Sequence, residues 1–331
     1  MPAPTTDILA AAPPRYTPFA SGRYEVGPGL FQLGRQPAYG HLEDRVFVLA
    51  SDYPGLLEAK LRARAQLERH YLTANLHPAL RAAALTFVAA RAAAEYPQVF
   101  AWDGQSLENR LLGWRGRLDP SGGALLELTR FAAPLAHLVQ GLEPHDATDF
   151  LACNLPEDLV LLSRDAATGR DWLSMLHVLL PQRWDPREKI GRPFGPVHRP
   201  VAGAAPMIRA ADRLMSAAVE KGPFVRFAWG LSPDPAPGQH PDDPAPDPTP
   251  AAQDPARHVW LRVERQILWG FPEHGGALFT IRPLLEPLGE VARDPQRRRL
   301  LAAALRSMSP EARAYKSVEP YLEATLLYLE G

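Results

Sequence analysis

Residues 259–281 read VWLRVERQILWGFPEHGGALFTI, two strand-like runs around a short turn. Side chains of an extended chain alternate between faces, so Val259, Leu261, Val263, Ile267 and Trp269 share an apolar face with Arg265 in its middle. Trp260, Arg262, Glu264, Gln266 and Leu268 take the other face. If the apolar face is covered, an unpaired guanidinium there costs about 3–5 kcal/mol, so an anion must meet it. A core carboxylate is one such anion. A bound anionic cofactor or substrate is another.

Further short strands flank this hairpin. Residues 158–163 and 172–180, separated by the Thr-Gly turn of 165–170, predict a second hairpin, and 224–231 predict another strand. About five strands, mostly hairpin-connected and with helices inserted and appended, predict an α+β fold on an antiparallel sheet rather than alternating βαβ units. Helices are predicted over about 54–71 and 78–95, which are rich in alanine, leucine and arginine, and over 134–141 and 204–221. The tail predicts four more, over about 283–292, 295–307, 310–315 and 318–329. Residues 22–33, broken by Gly27, Pro28 and Gly29, read as extended, and 111–128, with its Gly122–Gly123 signal, as strand or turn. Residues 232–257 hold nine prolines and hardly anything apolar, and predict a disordered loop inside one sheet. The expected division is a mainly helical region, 1–150, packed on a sheet-bearing core with a helical tail, 151–331.

Bulk properties narrow the function classes. With 331 residues, 46% hydrophobic and 22% charged, the composition is that of a globular chain. A formal net charge of −1 argues against a protein built to hold nucleic acid through phosphates. No run approaches 18 apolar residues and the start lacks the pattern of a signal peptide, so neither a membrane span nor export is read, and a cytoplasmic location is expected. The single cysteine, Cys153, excludes an internal disulfide, a Cys-ligated zinc site and an iron–sulfur cluster held by this chain alone. The glycines form no GxGxxG or Walker loop.

The stretch Trp184 to Pro206 is too rich in proline to be regular, yet its Trp184, Ile190, Phe194 and Val197 call for packing against the body. His198 stands beside the rigid Arg199-Pro200 step. A neutral imidazole on such a backbone suits an iron or zinc ligand, a proton shuttle or a hydrogen-bonded structural role. His177, on the Leu173, Met175 and Leu179 face of its strand, is a rival ligand. Arg226 shares a face with Phe224 and Ala228. With Arg265 it could clamp two carboxylates or a phosphate, and the alternative is an ion pair with Glu264 or another sheet carboxylate.

At these residues the chain resembles the heme-dependent oxidative N-demethylase family, formerly a domain of unknown function and including dimethylamine-monooxygenase-like heme subunits. The matching segments are Glu157-Asp-Leu-Val-Leu-Leu162, Pro181-x-x-Trp184, Lys189-Ile-Gly191, Val197-His198-x-Pro200-Val201, Arg226-x-x-Trp229, Leu261-Arg-Val-Glu-Arg-Gln266, Leu278-Phe-Thr-Ile-Arg282 and Tyr315-Lys316. They keep the family's order over about residues 155–316. Two departures stand out: Ala228 precedes Trp229 where the family often has asparagine, and Ala202 replaces a frequent proline.

The resemblance implies a PAS-like sheet that holds heme b, and oxidative removal of a methyl group from a small secondary amine with O2. Electrons would come from NADPH through a reductase subunit. FMN, the 2Fe–2S centre and tetrahydrofolate would reside on partner subunits. It also implies His198 as the iron ligand, with His177 as the alternative, and Arg226 and Arg265 at the heme propionates or at a polarised oxygen site. Lys189, Tyr315 and Lys316 would serve the pocket, and Glu264 would orient an arginine or hold a protonated amine. A non-enzymatic gas sensor on the same fold, or a structural subunit, is the rival reading.

Overall fold

A computed structural model of the chain describes residues 9–27, 29–36, 42–119, 121 and 123–331. Pro28, Gly122 and the first eight residues, on which parts of the sequence reading fell, lie outside them. The strands are β1 (Phe31–Gln32), β2 (Tyr71–Thr73), β3 (Phe100–Trp102), β4 (Ser106–Asn109), β5 (Trp114–Leu118), β6 (Leu125–Arg130), β7 (Asp158–Arg164), β8 (Asp171–His177), β9 (Phe224–Ser232), β10 (Trp260–Phe271) and β11 (Gly276–Pro287). Seven of them form one antiparallel sheet in the order β1-β9-β10-β11-β7-β8-β2. The five expected strands are its centre, and two short strands from the N-terminal region close its edges.

The opening stretch forms the central hairpin, β10 with β11, in register from Trp260↔Pro287 to Phe271↔Gly276. Its turn ends on Gly275 at φ 59, where a Cβ would also come within 2.9 Å of the Arg164 carbonyl oxygen, so only glycine fits. β11 runs further than expected and leaves only Leu288–Ala292 of the helix predicted from 283. Pro283 is tolerated because pairing with β7 stops at Ile281↔Asp158, and no ladder bond is asked of its missing N–H. The helix Ala211–Glu220 lies directly on β10 because Gly270 leaves room for the Val219 carbonyl.

The N-terminal region departs from the helical expectation. Besides the helices Tyr53–Ala63 and Pro78–Glu95, it contains the meander β3-β4-β5-β6. In β5 the alternation is clean, with Trp114, Gly116 and Leu118 buried and Arg115 and Arg117 exposed. One core joins this region to the inner face of the main sheet, including Phe47, Tyr53, Val88, Trp114, Leu159, Leu161 and Ile267.

Arg265 lies on that inner face, 1% exposed. Its Nε donates to Glu43 Oε2 at 2.5 Å, one Nη to the Val46 carbonyl at 3.0 Å and the other to the Arg45 carbonyl. The anion that the sequence demanded is therefore a core carboxylate, itself held by the Tyr16 hydroxyl at 2.6 Å. Arg282, beside Arg265 in register, binds Asp52 and the carbonyls of Val48 and Pro283. Lys60, also fully buried, donates to the carbonyls of Ala152, Leu155 and Glu157.

Residues 232–257, expected to be disordered, are folded onto the body. Gln239 exchanges backbone hydrogen bonds with Pro181 and Arg183, the helices Thr249–Gln253 and Pro255–His258 follow, and Ala251 is fully buried in the C-terminal core. Prolines pre-set φ and lower the entropy lost on ordering, and the Arg262 guanidinium anchors the segment at the Pro237 carbonyl.

Candidate functional site

The outer face of the sheet is lined differently. Arg226 on β9 stands directly across from Gln266 on β10, Ala228 from Glu264, and Gly230 from Arg262. The apolar neighbours on this face form two small clusters, Val160, Leu176, Val178 and Ile281 with Trp184 and Ile190, and Leu162, Met215, Val219 and Ala277 with Phe194. Beside them, on β9 and β10, lies a polar strip that Lys316 of the helix Pro310–Lys316 approaches at Gly230 and that His198 of the 184–206 segment approaches at Arg226.

Five residues named from sequence meet here: Lys189, His198, Arg226, Glu264 and Lys316. Each keeps part of its surface accessible, yet burial is the largest influence on the ionisation of His198, Arg226 and Lys316. Partial access combined with desolvation sets these groups apart from the filled core. Lys316 lies over Gly230, whose ideal Cβ would be 3.4 Å from Lys316 Cδ and 3.6 Å from Nζ. Burial lowers the pKa of Lys316; Glu264 opposes that shift, and Arg262 and Arg226 add to it. Arg226 is lowered by burial against the pull of Glu264, and its Nε has no hydrogen-bond partner.

His198 closes the short helix Phe194–His198 and stacks on Phe194 at 4.0 Å between ring centroids. Its Nδ1 is 2.9 Å from the Phe194 carbonyl oxygen. A carbonyl only accepts, so Nδ1 carries the proton and Nε2 keeps its lone pair. Burial, with Arg226 and Lys189 nearby, pushes the pKa down to about 4, so the ring is neutral near pH 7. Lys189 reaches the Val197 carbonyl at 3.4 Å, in the turn that carries His198.

Glu264 accepts from Arg262 at 3.3 Å and from the Gln266 amide at 3.0 Å. Arg262, 3% exposed, also donates to the carbonyls of Pro237 and Leu180. Sequence alternation put Arg262 and Gln266 on this face but gave no reason to single them out. An open cavity of about 700 Å³ adjoins the strip, bounded by 199–205, Ile208, Ser309, Glu311 and Tyr315. Tyr315, 44% exposed, feels the charge of Glu264.

Two expected members stand elsewhere. Arg265 projects from the opposite face and is consumed by Glu43, so no Arg226–Arg265 clamp exists. His177 is fully buried on the inner face, across from Leu159, and its Nε2 is held by Asp149 at 2.9 Å. Its Nδ1 has no hydrogen-bond partner, but the ring lies on the opposite face of the sheet from Arg226, Glu264 and Lys316.

The pocket residues suit a heme. His198 offers a fixed, neutral Nε2 of the kind that ligates iron, with Nδ1–H oriented by a backbone carbonyl. Arg226 and Lys316 face one carboxylate, Glu264, which Arg262 already engages. With Lys189 beside His198, a cationic wall with an orphaned Arg226 Nε calls for added negative charge such as two propionates. A family model described as haem-dependent oxidative N-demethylase, alpha subunit-like, matches residues 41–326. The chain belongs to this family. No curated protein matches it. Membership accords with heme dependence and with a subunit of a larger oxygenase. No helix among the described residues is long and apolar enough to cross a membrane.

Proposed function

We propose that this alpha-subunit-like protein carries out heme-dependent oxidative N-demethylation of a small secondary amine, with O2 as oxidant and electrons from a reductase partner. The observation that carries the reading is the pairing, in one pocket, of a neutral His198 whose Nδ1 is tied back with an Arg226 whose buried Nε has no partner. When bound, the heme supplies the oxygen activation and electron transfer that side chains lack.

Each residue then has a task. His198 Nε2 would hold the iron, and Lys189, Arg226 and Lys316 would face the propionates, with Arg226 the cation available to a polarised oxygen site. Glu264, held by Arg262 and Gln266, holds the protonated amine by accepting a hydrogen bond from its N–H. The cavity beside Tyr315 admits the substrate. Ala228 leaves this wall less polar than the asparagine the family often has there, which suits a modestly larger or more apolar amine.

A b-type heme is supported because Cys153 is the only cysteine and is buried in the N-terminal core, away from this pocket. The order of the five central strands, with the last beside the first, supports the PAS-like reading. FMN, a 2Fe–2S centre and tetrahydrofolate belong to partner subunits in this scheme, since one cysteine holds no cluster. Formaldehyde release on adding dimethylamine, O2 and reductant to the heme-loaded protein with its reductase tests the activity. Heme binding without any spectral or catalytic response to secondary amines would favour a gas sensor.

A further inference from the structure

The segment that docks through Gln239 brings together a second cluster, outside the pocket. Asp185, His240 and Asp242 each present one ligand atom, and these atoms lie within 4.8 Å of one another. His240 is 5% exposed, and its Nε2 is buried without a hydrogen-bond partner. Nε2 stands 3.6 Å from Asp185 Oδ1, and Nδ1 stands 3.8 Å from Asp242 Oδ2. Both separations exceed hydrogen-bond length. Two donors bound at about 2.0–2.2 Å to one ion, however, stand about 3–4 Å apart. This is the spacing of Nε2 and Asp185 Oδ1, and the Asp242 carboxylate, now facing the other ring nitrogen, turns to join them.

We propose that Asp185, His240 and Asp242 bind a divalent transition-metal ion of the zinc class, and that Arg187 competes with the ion for the two carboxylates. The Arg187 guanidinium now lies on Asp185 at 2.7–3.0 Å and on Asp242 at 2.6 Å. Its side chain is 44% exposed and that of Asp242 43%, so both can turn as the ion enters and the arginine moves into water. The Arg187 backbone N–H holds Asp185 Oδ1 at 2.8 Å whatever the guanidinium does, a preset orientation for a ligating carboxylate.

Binding through Nε2 places the ring proton on Nδ1, and the Asp242 N–H then releases its long, 3.2 Å contact there. His70 packs edge-on against the ring at 5.3 Å and limits its rotation. Arg69, 3.9 Å from Asp242, is the remaining charge that opposes the ion. One imidazole and two carboxylates form a nitrogen and oxygen set with an open position, suited to zinc and too poor in oxygen for calcium. The ion would fasten the 232–257 segment to the turn that leads into Lys189.

Zinc ions titrated into chelator-stripped, heme-loaded protein against a competing indicator test the site, with zinc counted separately from heme iron. One zinc per chain is expected, with affinity lowered about 10–100-fold in His240→Ala. Arg187→Ala should bind about five- to tenfold more tightly, because the competing cation is gone. Since His240→Ala could loosen the segment, Asp242→Asn serves as a second variant that must weaken zinc with little change in the metal-free melting temperature. Equal affinity in parent and His240→Ala, or no gain in Arg187→Ala, overturns the proposal.

Discussion

Arg226 and Arg265 stand one register step apart on neighbouring strands and project from opposite faces of the sheet, because Arg226 pairs with Gln266 and Arg265 with Phe227. One arginine is therefore a structural cation matched by Glu43, and the other is a pocket cation that lacks a partner at Nε. Their substitutions should behave oppositely.

Arg265→Leu leaves Glu43 buried and unpaired, and should lower stability by about 3–5 kcal/mol. Chemical denaturation measures it. Adding Glu43→Gln should recover a large part of the loss, while heme content per folded molecule stays that of the parent.

Arg226→Leu removes a desolvated charge, so the heme-free protein should be as stable as the parent or more so. Heme binding should weaken by about 1.5–3 kcal/mol, the worth of a hydrogen bond to a charged group. Equilibrium titration with hemin reads this, and undiminished affinity would place Arg226 outside the heme's reach.

Deleting residues 233–254 should lower the melting temperature substantially. The deletion strips Ala251 from the C-terminal core and takes away the Pro237 carbonyl that receives the buried Arg262 guanidinium. A deletion variant that melts with the parent would show the segment to be dispensable.

Glu157 gives the fold a pH dependence of its own. It is fully buried, one oxygen accepts from the Val48 N–H and the other has no partner. Burial raises its pKa from 4.5 to about 7, although Arg282 and Arg265 pull it down. The folded state then binds more protons than the unfolded state between these values. Glu157's contribution is full below pH 4.5 and is lost as pH rises to about 7, a change of up to about 3 kcal/mol. Comparing the pH dependence of stability of the parent and Glu157→Gln should show this slope in the parent and not in the variant.

Much of the fold was legible because its signals are local. Period-two alternation in 259–271, the Pro272–Gly275 turn and the hairpin at 165–170 sufficed for the five central strands. Edge strands of two and three residues, β1 and β2, leave too short a pattern to find. The Arg265 problem was readable from alternation, but its answer depended on Glu43, more than 200 residues away, which no local pattern indicates. Register was decisive for the arginine clamp: with neighbouring strands unaligned, Arg226 and Arg265 were equally able to share a face. The docking of 232–257 was hidden for another reason, since its anchors are backbone carbonyls and amides, which composition does not reveal.

The most direct measurement is the absorption spectrum of the heme-loaded protein, oxidised and reduced, beside that of His198→Gly with and without added imidazole. A shifted Soret band in His198→Gly that returns towards the parent position with imidazole is the expected result, because the free base restores the nitrogen that His198 Nε2 supplies. A Soret band unchanged by the substitution would show that His198 does not hold the iron and would contradict the proposed site.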